Sequence, residues 1–152
     1  MASPQRKRIL AVASSGGHWV QLRRLRPAFD GHDVAYLTTD AGHRGEVGGM
    51  RFHTVADANR SDKVALLRSA LKIGWVLLRE RPHVVVSTGA APGYLALRAG
   101  KLLGARTVWI DSVANVEELS LSGRMSSGVA DLCLTQWPHL ADGDVGYAGA
   151  VL

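Results

Sequence analysis

One cysteine, Cys133, is all that the 152 residues contain, so no disulfide can form within the chain and a reducing, cytoplasmic setting is expected. Cys133 stands in the strand-like run Ala130-Asp131-Leu132-Cys133-Leu134, where a buried structural thiol is expected rather than a nucleophile. Aromatic residues make up only 6% of the chain. With no aromatic-basic platform and no recognition motif, nucleic-acid binding is not expected despite a net charge of +5. No run approaches the roughly 18 apolar residues of a membrane-spanning helix. Arg6-Lys7-Arg8 precedes an apolar stretch too short for a signal peptide and without a cleavage site. Walker spacing is missing, and Ser15-Gly16-Gly17-His18-Trp19-Val20 fails the dinucleotide spacing, which disfavours ATP and NAD. No carboxylate pair has metal-ligand spacing, so neither a metal nor another cofactor is expected.

What the chain does have is alternation. At 47% hydrophobic and 20% charged residues it can bury a substantial core, and one domain over 1–152 is expected. Strand-like runs at 8–13, 34–37, 52–55, 84–87, 107–110 and 130–135 alternate with helix-like patterns at 18–29, 61–79, 92–103 and within 115–128. This order predicts an α/β fold, a Rossmann-like doubly wound parallel sheet with helices on both faces. Residues 38–50, rich in glycine and polar side chains, read as a mobile surface loop. Ser61 or Asp62 can cap the long helix, which Pro82 prevents from continuing.

Two turns carry the chemistry. Ser14-Ser15-Gly16-Gly17-His18 follows the apolar run Ile9-Leu10-Ala11-Val12-Ala13, and Ser87-Thr88-Gly89-Ala90-Ala91-Pro92-Gly93 follows Val84-Val85-Val86. A strand that turns through glycines into a helix points backbone N–H groups outward, which suits a phosphate. His18 stands where the first turn becomes a helix, placed to donate to a phosphate or to take a proton from a hydroxyl; a capping or packing role is the alternative. Asp111 closes the fifth strand at its carboxyl end, where open parallel sheets bind ligands; capping the following loop is its alternative. The basic residues cluster, which favours an anionic partner; a solvated basic face with no partner is the alternative for any single cluster. In the long helix, Leu67, Leu71 and Leu78 are expected toward the core. Leu66, Ile73 and Leu77 then lie to another side, where Arg68, Lys72, Trp75 and Leu77 would suit a membrane surface; a fully buried crossover helix is the alternative.

With these turns, the stretches Gly100-Lys101-Leu102-Leu103-Gly104-Ala105, Asp111-Ser112, Leu119-Ser120-Leu121-Ser122-Gly123, Ala130-Asp131, Gln136-Trp137-Pro138 and Tyr147-Ala148-Gly149 extend the pattern. Together they resemble the acceptor-side subunits of two-component glycosyltransferases. That family comprises subunit fourteen of asparagine-linked glycosylation and bacterial exopolysaccharide proteins of the glucuronosyltransferase type. The resemblance implies the N-terminal lobe of a GT-B enzyme, inactive alone, that holds a polyprenyl-diphosphate-linked acceptor. A separate donor-binding chain would bring the UDP-sugar, for an inverting, metal-independent transfer in polysaccharide biosynthesis. It further implies that Ser15, Gly16, Gly17, Thr88, Gly89 and Gly93 lie at the acceptor diphosphate, with His18 beside the reacting sugar and His18 or Asp111 as base. Where the family usually has Glu, this chain has Asp111, whose side chain is shorter. With no membrane anchor read in the chain, the likeness is nearer to the bacterial branch, peripheral on the inner face of the cell membrane. A non-catalytic adaptor that recruits the donor-binding chain to the membrane is the alternative function.

Overall fold

Seven strands, β1 (Arg8–Ala13), β2 (Asp33–Thr38), β3 (Arg51–Thr54), β4 (Val84–Gly89), β5 (Arg106–Ile110), β6 (Leu132–Thr135) and β7 (Val145–Tyr147), form one sheet. This is a computed structural model describing residues 3–59 and 61–151; of the span expected as one domain, Met1, Ala2, Arg60 and Leu152 lie outside the described residues. The order is β3-β2-β1-β4-β5-β6-β7, and each neighbouring pair is parallel. The chain begins at the centre, winds outward to β3, and returns to lay β4 beside β1 on the other side. That reversal is the topological switch of a Rossmann-like sheet, and it opens a crevice at the carboxyl ends of β1 and β4.

Helices α1 (Gly17–Arg24), α2 (Lys63–Glu80), α3 (Ala91–Leu102) and α4 (Leu121–Ser127) connect the strands. Because crossovers are right-handed, winding in opposite directions puts the helices on opposite faces. Ile9, Ala11 and Ala13 of β1 pack with Trp19, Leu22 and Phe29 on the α1 side. Leu10 and Val12 pack with Ile73, Val76, Leu77, Ala96 and Leu97 on the α2 and α3 side. Both faces of β1 are therefore buried from Ile9 onward, which is why its sequence is apolar from there to Ala13.

Three expectations are corrected. The helix expected over 18–29 stops at Arg24 and resumes as a 3-10 turn, Arg26–Phe29, because Pro27 lacks the N–H that an α-helix requires. Residues 38–50 are not a plain loop. Asp40 accepts a hydrogen bond from the Gly42 N–H at 2.8 Å and caps a 3-10 helix, Ala41–Glu46. That helix is clamped to Trp19, whose ring stacks on His43 at 4.9 Å and whose indole N–H donates to Glu46 at 2.8 Å.

The third correction concerns the phase of α2. Asp62 caps it, accepting from the Ala65 N–H at 3.0 Å, and Arg81, at φ 46°, ends it before Pro82. Ser69, Ile73, Val76, Leu77 and Glu80 face the sheet. Leu77 is thus a core residue and no surface contact. Leu67, Leu71 and Leu78, expected inside, instead join Val64 and Trp75 on an apolar stripe at least half exposed, flanked by Arg68 and Lys72. The Lys72 ammonium and Arg79 guanidinium sit over the Trp75 ring at 5.3 and 5.4 Å. Among the described residues no helix is long and apolar enough to cross a membrane.

Candidate functional site

The two glycine turns meet at the switch point. The Ser14 N–H donates to the Gly89 carbonyl at 3.0 Å, tying one turn to the other across β1 and β4. Gly16 adopts φ 79° and Gly89 φ 134°, conformations that residues with a Cβ rarely take. Neither α1 nor α3, the helices that follow these turns, carries a side-chain cap at its N-terminus. Asp62 caps α2 and Ser120 caps α4. The first N–H groups of α1 thus have no side-chain cap, and Gly16 and Gly17 are exposed where the helix starts, an arrangement that favours an anion.

His18 is the side chain at the centre. Its Nδ1 lies 3.0 Å from the Thr88 carbonyl oxygen, and the Thr88 hydroxyl donates back to the His18 carbonyl at 2.7 Å. A carbonyl oxygen only accepts, so Nδ1 carries the proton in this contact and Nε2 is the nitrogen left to accept one. A Cβ at Gly89 would overlap the imidazole, so glycine there lets the ring lie flat against the second turn. An open cleft of about 750 Å³ runs from His18, Gly89 and Ala90 to Asn59 and Ser61 before α2 and to Ser120 and Leu121 at α4. Smaller hollows extend it along Ser14, Ser15 and Asp57 on one side and along Gly17, Arg24 and Asn115 on the other. Among the described residues no group of three or more His, Cys, Asp and Glu is arranged to hold a metal ion.

The other expected residues divide into two sets. Gly16 and Gly17 are exposed, Gly17 lining the hollow beside Arg24, and a Cβ on either would meet nothing within 4 Å. The Ser15 N–H donates to the Thr39 hydroxyl at 3.0 Å, and among the described residues its side chain has no hydrogen-bond partner. Thr88 is buried and grips His18. Gly93 faces inward instead of toward the cleft: a Cβ there would run into the Ser87 side chain and come within 3.2 Å of Trp109. It is a packing glycine that lets α3 approach β4.

Asp111 is 1% exposed. Its Oδ1 accepts from the Trp109 indole at 3.1 Å and the Ser120 hydroxyl at 2.6 Å; its Oδ2 accepts from the Asn115 amide at 3.1 Å and the Ser120 N–H at 3.0 Å. Both oxygens are thereby committed to folding residues 112–120 back over the sheet, and Gly123 is small because this carboxylate lies against it. Behind it runs a buried amide relay. Gln136 donates to Gln21 at 2.6 Å and to the Asp111 carbonyl at 3.0 Å, while Gln21 donates to Ser112 at 3.0 Å. This relay and the Asn59 turn, in which Oδ1 accepts from the Ser61 and Asp62 N–H groups at 3.1 and 3.0 Å, escaped the sequence reading. Isolated amides carry no spacing signal, although Gln136 lies in one of the resembling stretches. Burial pushes the Cys133 thiol up to about 11, as suits a structural residue.

Residues 49–151 match the family described as "Oligosaccharide biosynthesis protein Alg14 like". The second glycine turn and Asp111 lie inside that span and the first turn outside it. The chain is 28% identical over 176 aligned positions, 89% of this chain and 75% of the relative, to the UDP-N-acetylglucosamine transferase subunit ALG14 of Eremothecium gossypii. It is 36% identical over 70 residues, 42% of this chain and 32% of the relative, to the protein of that name from Yarrowia lipolytica. Among solved structures, Acinetobacter baumannii MurG superposes with a TM-score of 0.77 at 14% identity, over 96% of this chain and 46% of that one. UDP-N-acetylglucosamine 2-epimerase from Rickettsia bellii superposes with a TM-score of 0.70 at 14% identity, over 96% of this chain and 45% of that one. The chain therefore spans just under half of each of these two structures, and the likeness is one of fold.

Proposed function

The chain belongs to the Alg14-like family of oligosaccharide biosynthesis proteins, and from that premise we propose that it is the acceptor-binding half of a two-chain glycosyltransferase. A second chain supplies the nucleotide-sugar lobe, and the sugar passes from a UDP-sugar to a polyprenyl-diphosphate-linked acceptor with inversion. The relatives named as UDP-N-acetylglucosamine transferase subunits support the class of donor. The half-length superposition on MurG supports a division of the site between two lobes.

The observation that carries the mechanism is the His18–Thr88 pair. With Nδ1 engaged by the Thr88 carbonyl, Nε2 faces the cleft as the base that takes the acceptor hydroxyl proton during attack on the anomeric carbon. The uncapped start of α1 at Gly16 and Gly17 and the backbone around Gly89 and Ala90 hold the acceptor diphosphate beside it. Asp111 acts at one remove, by fixing the loop that closes the far wall of the cleft. Thr88 positions His18, and Gly93 lets α3 pack. The exposed stripe of α2 lies against the bilayer that carries the acceptor, on the cytoplasmic side, with Arg68 and Lys72 toward anionic headgroups.

Reconstitution with a donor-binding chain, screening UDP-sugars against polyprenyl-diphosphate acceptors, tests this reading. Transfer is expected from the two chains together and from neither alone. Robust transfer by the rigorously purified single chain would contradict it.

A further inference from the structure

A second cavity, of about 660 Å³, opens at the other end of the sheet, where β1, β4 and β5 begin. Its polar side chains are Lys7, Arg8, Arg81, His83 and Arg106, and no carboxylate lines it. Among the described residues, none of these five ion-pairs with an Asp or Glu. Arg8 is held in place, its Nε donating to the Arg81 carbonyl at 2.8 Å. The His83 Nδ1 accepts the Arg8 N–H at 2.9 Å, so its Nε2 carries a proton and can donate. Asp33, which already accepts from Arg51 and does not line the cavity, feels the Arg8 charge, so the cationic excess at this mouth is only partly offset, and the group beside it is a donor.

The remaining wall is apolar. Leu78 and Leu103 line the cavity and are more than half exposed, and Leu102 beside them is 85% exposed. Leu78 is also the last residue of the exposed stripe on α2, while Asn59 and Ser61, just before the start of α2, line the cleft at the opposite end. A bilayer lying along α2 meets both ends of the sheet.

We infer that this cavity holds the headgroup of an acidic phospholipid, with its acyl chains over Leu78 and Leu103 and onto the α2 stripe. An excess of cations beside an unpartnered apolar rim matches an anionic head carrying apolar tails. Neither a zwitterionic lipid nor a bare phosphate matches both features. The inference does not depend on the transferase reading.

The test is calorimetric titration of the full chain with short-chain phosphatidylglycerol held below its micelle-forming concentration, alongside short-chain phosphatidylcholine and inorganic phosphate. Saturable one-site binding of phosphatidylglycerol is expected. Lys7→Glu with Arg106→Glu should weaken it by about tenfold or more, with the melting temperature retained. The milder Lys7→Gln with Arg106→Gln should show a smaller loss in the same direction. Arg44→Gln, outside both the cavity lining and the α2 stripe, should leave the affinity nearly unchanged. No saturable binding, equal binding of phosphatidylcholine or inorganic phosphate, or full affinity in both cavity variants would overturn the proposal.

Discussion

His18 and Asp111 look alike in the sequence, each a titratable residue at the carboxyl end of a strand, and the structure gives them opposite surroundings. His18 keeps one ring nitrogen free at an open cleft, whereas Asp111 spends both oxygens on its own loop. Asp111→Asn turns an NH₂ group toward donors and leaves buried partners unsatisfied, so it should cost about 1–3 kcal/mol of stability, read by denaturant unfolding. Unchanged stability with collapsed turnover would instead make Asp111 the base. The glycines divide in the same way. Gly17→Val meets open space, so acceptor binding, read by equilibrium titration, should fall while the melting temperature holds. Gly93→Ala forces a methyl into Ser87 and Trp109 and should destabilise by about 1–3 kcal/mol. The reverse ranking would exchange their roles. That glycines punctuate both turns was legible; that Gly93 answers to neighbouring side chains while Gly17 meets open space was not, since both are written with the same letter.

At the scale of elements, strands were legible because β1 carries the apolar run Ile9 to Ala13 and β4 opens with Val84-Val85-Val86, and α2 because Asp62 and Pro82 bracket it. Its phase was not legible. Apolar residues surround the helix, so the stripe of Leu67, Leu71 and Leu78 fits the core as well on paper as Ile73, Val76 and Leu77, and only the sheet selects between them. The segment 38–50 was misread for the opposite reason, because its order comes from Trp19, far away in sequence. The exposed α2 stripe predicts binding to anionic vesicles that weakens with salt and with Arg68→Glu plus Lys72→Glu, each basic residue contributing about 1 kcal/mol. Unchanged co-sedimentation would remove this face from the membrane account. The buried end of α2 predicts acid sensitivity. Burial raises the Glu80 carboxyl, but hydrogen bonds from His53 and Arg51, at 2.7 and 2.8 Å, and the Arg51 charge outweigh it and hold the group below its ordinary value. Asp33 is lowered chiefly by its hydrogen bond from Arg51, and Asp131 by that from the Thr107 N–H. Groups lowered in the folded state stabilise it fully above the ordinary carboxyl pKa of about 4, and lose that contribution as the pH falls through their native values. The melting temperature should therefore drop below about pH 4, and less steeply in Glu80→Gln; parallel curves would rule out this source.

For the whole molecule, the doubly wound parallel sheet was legible from alternation alone, and with it the place of the candidate site, because a sheet that reverses direction between β1 and β4 opens there. The closing of the far wall was not legible, since it depends on the buried relay of Gln21, Gln136 and Ser112 across distant elements. The fold thus brings one base-competent imidazole, two uncapped helix starts and an apolar helix face together on a lobe that superposes on just under half of MurG. The most direct measurement is the turnover of the two-chain enzyme carrying His18→Ala, beside wild type, at saturating UDP-sugar and lipid acceptor. The account predicts a fall in kcat of about two to four orders of magnitude, with folding and association with the donor-binding chain retained. A kcat within a few-fold of wild type would contradict it, placing the base on the other chain and leaving this one as an adaptor.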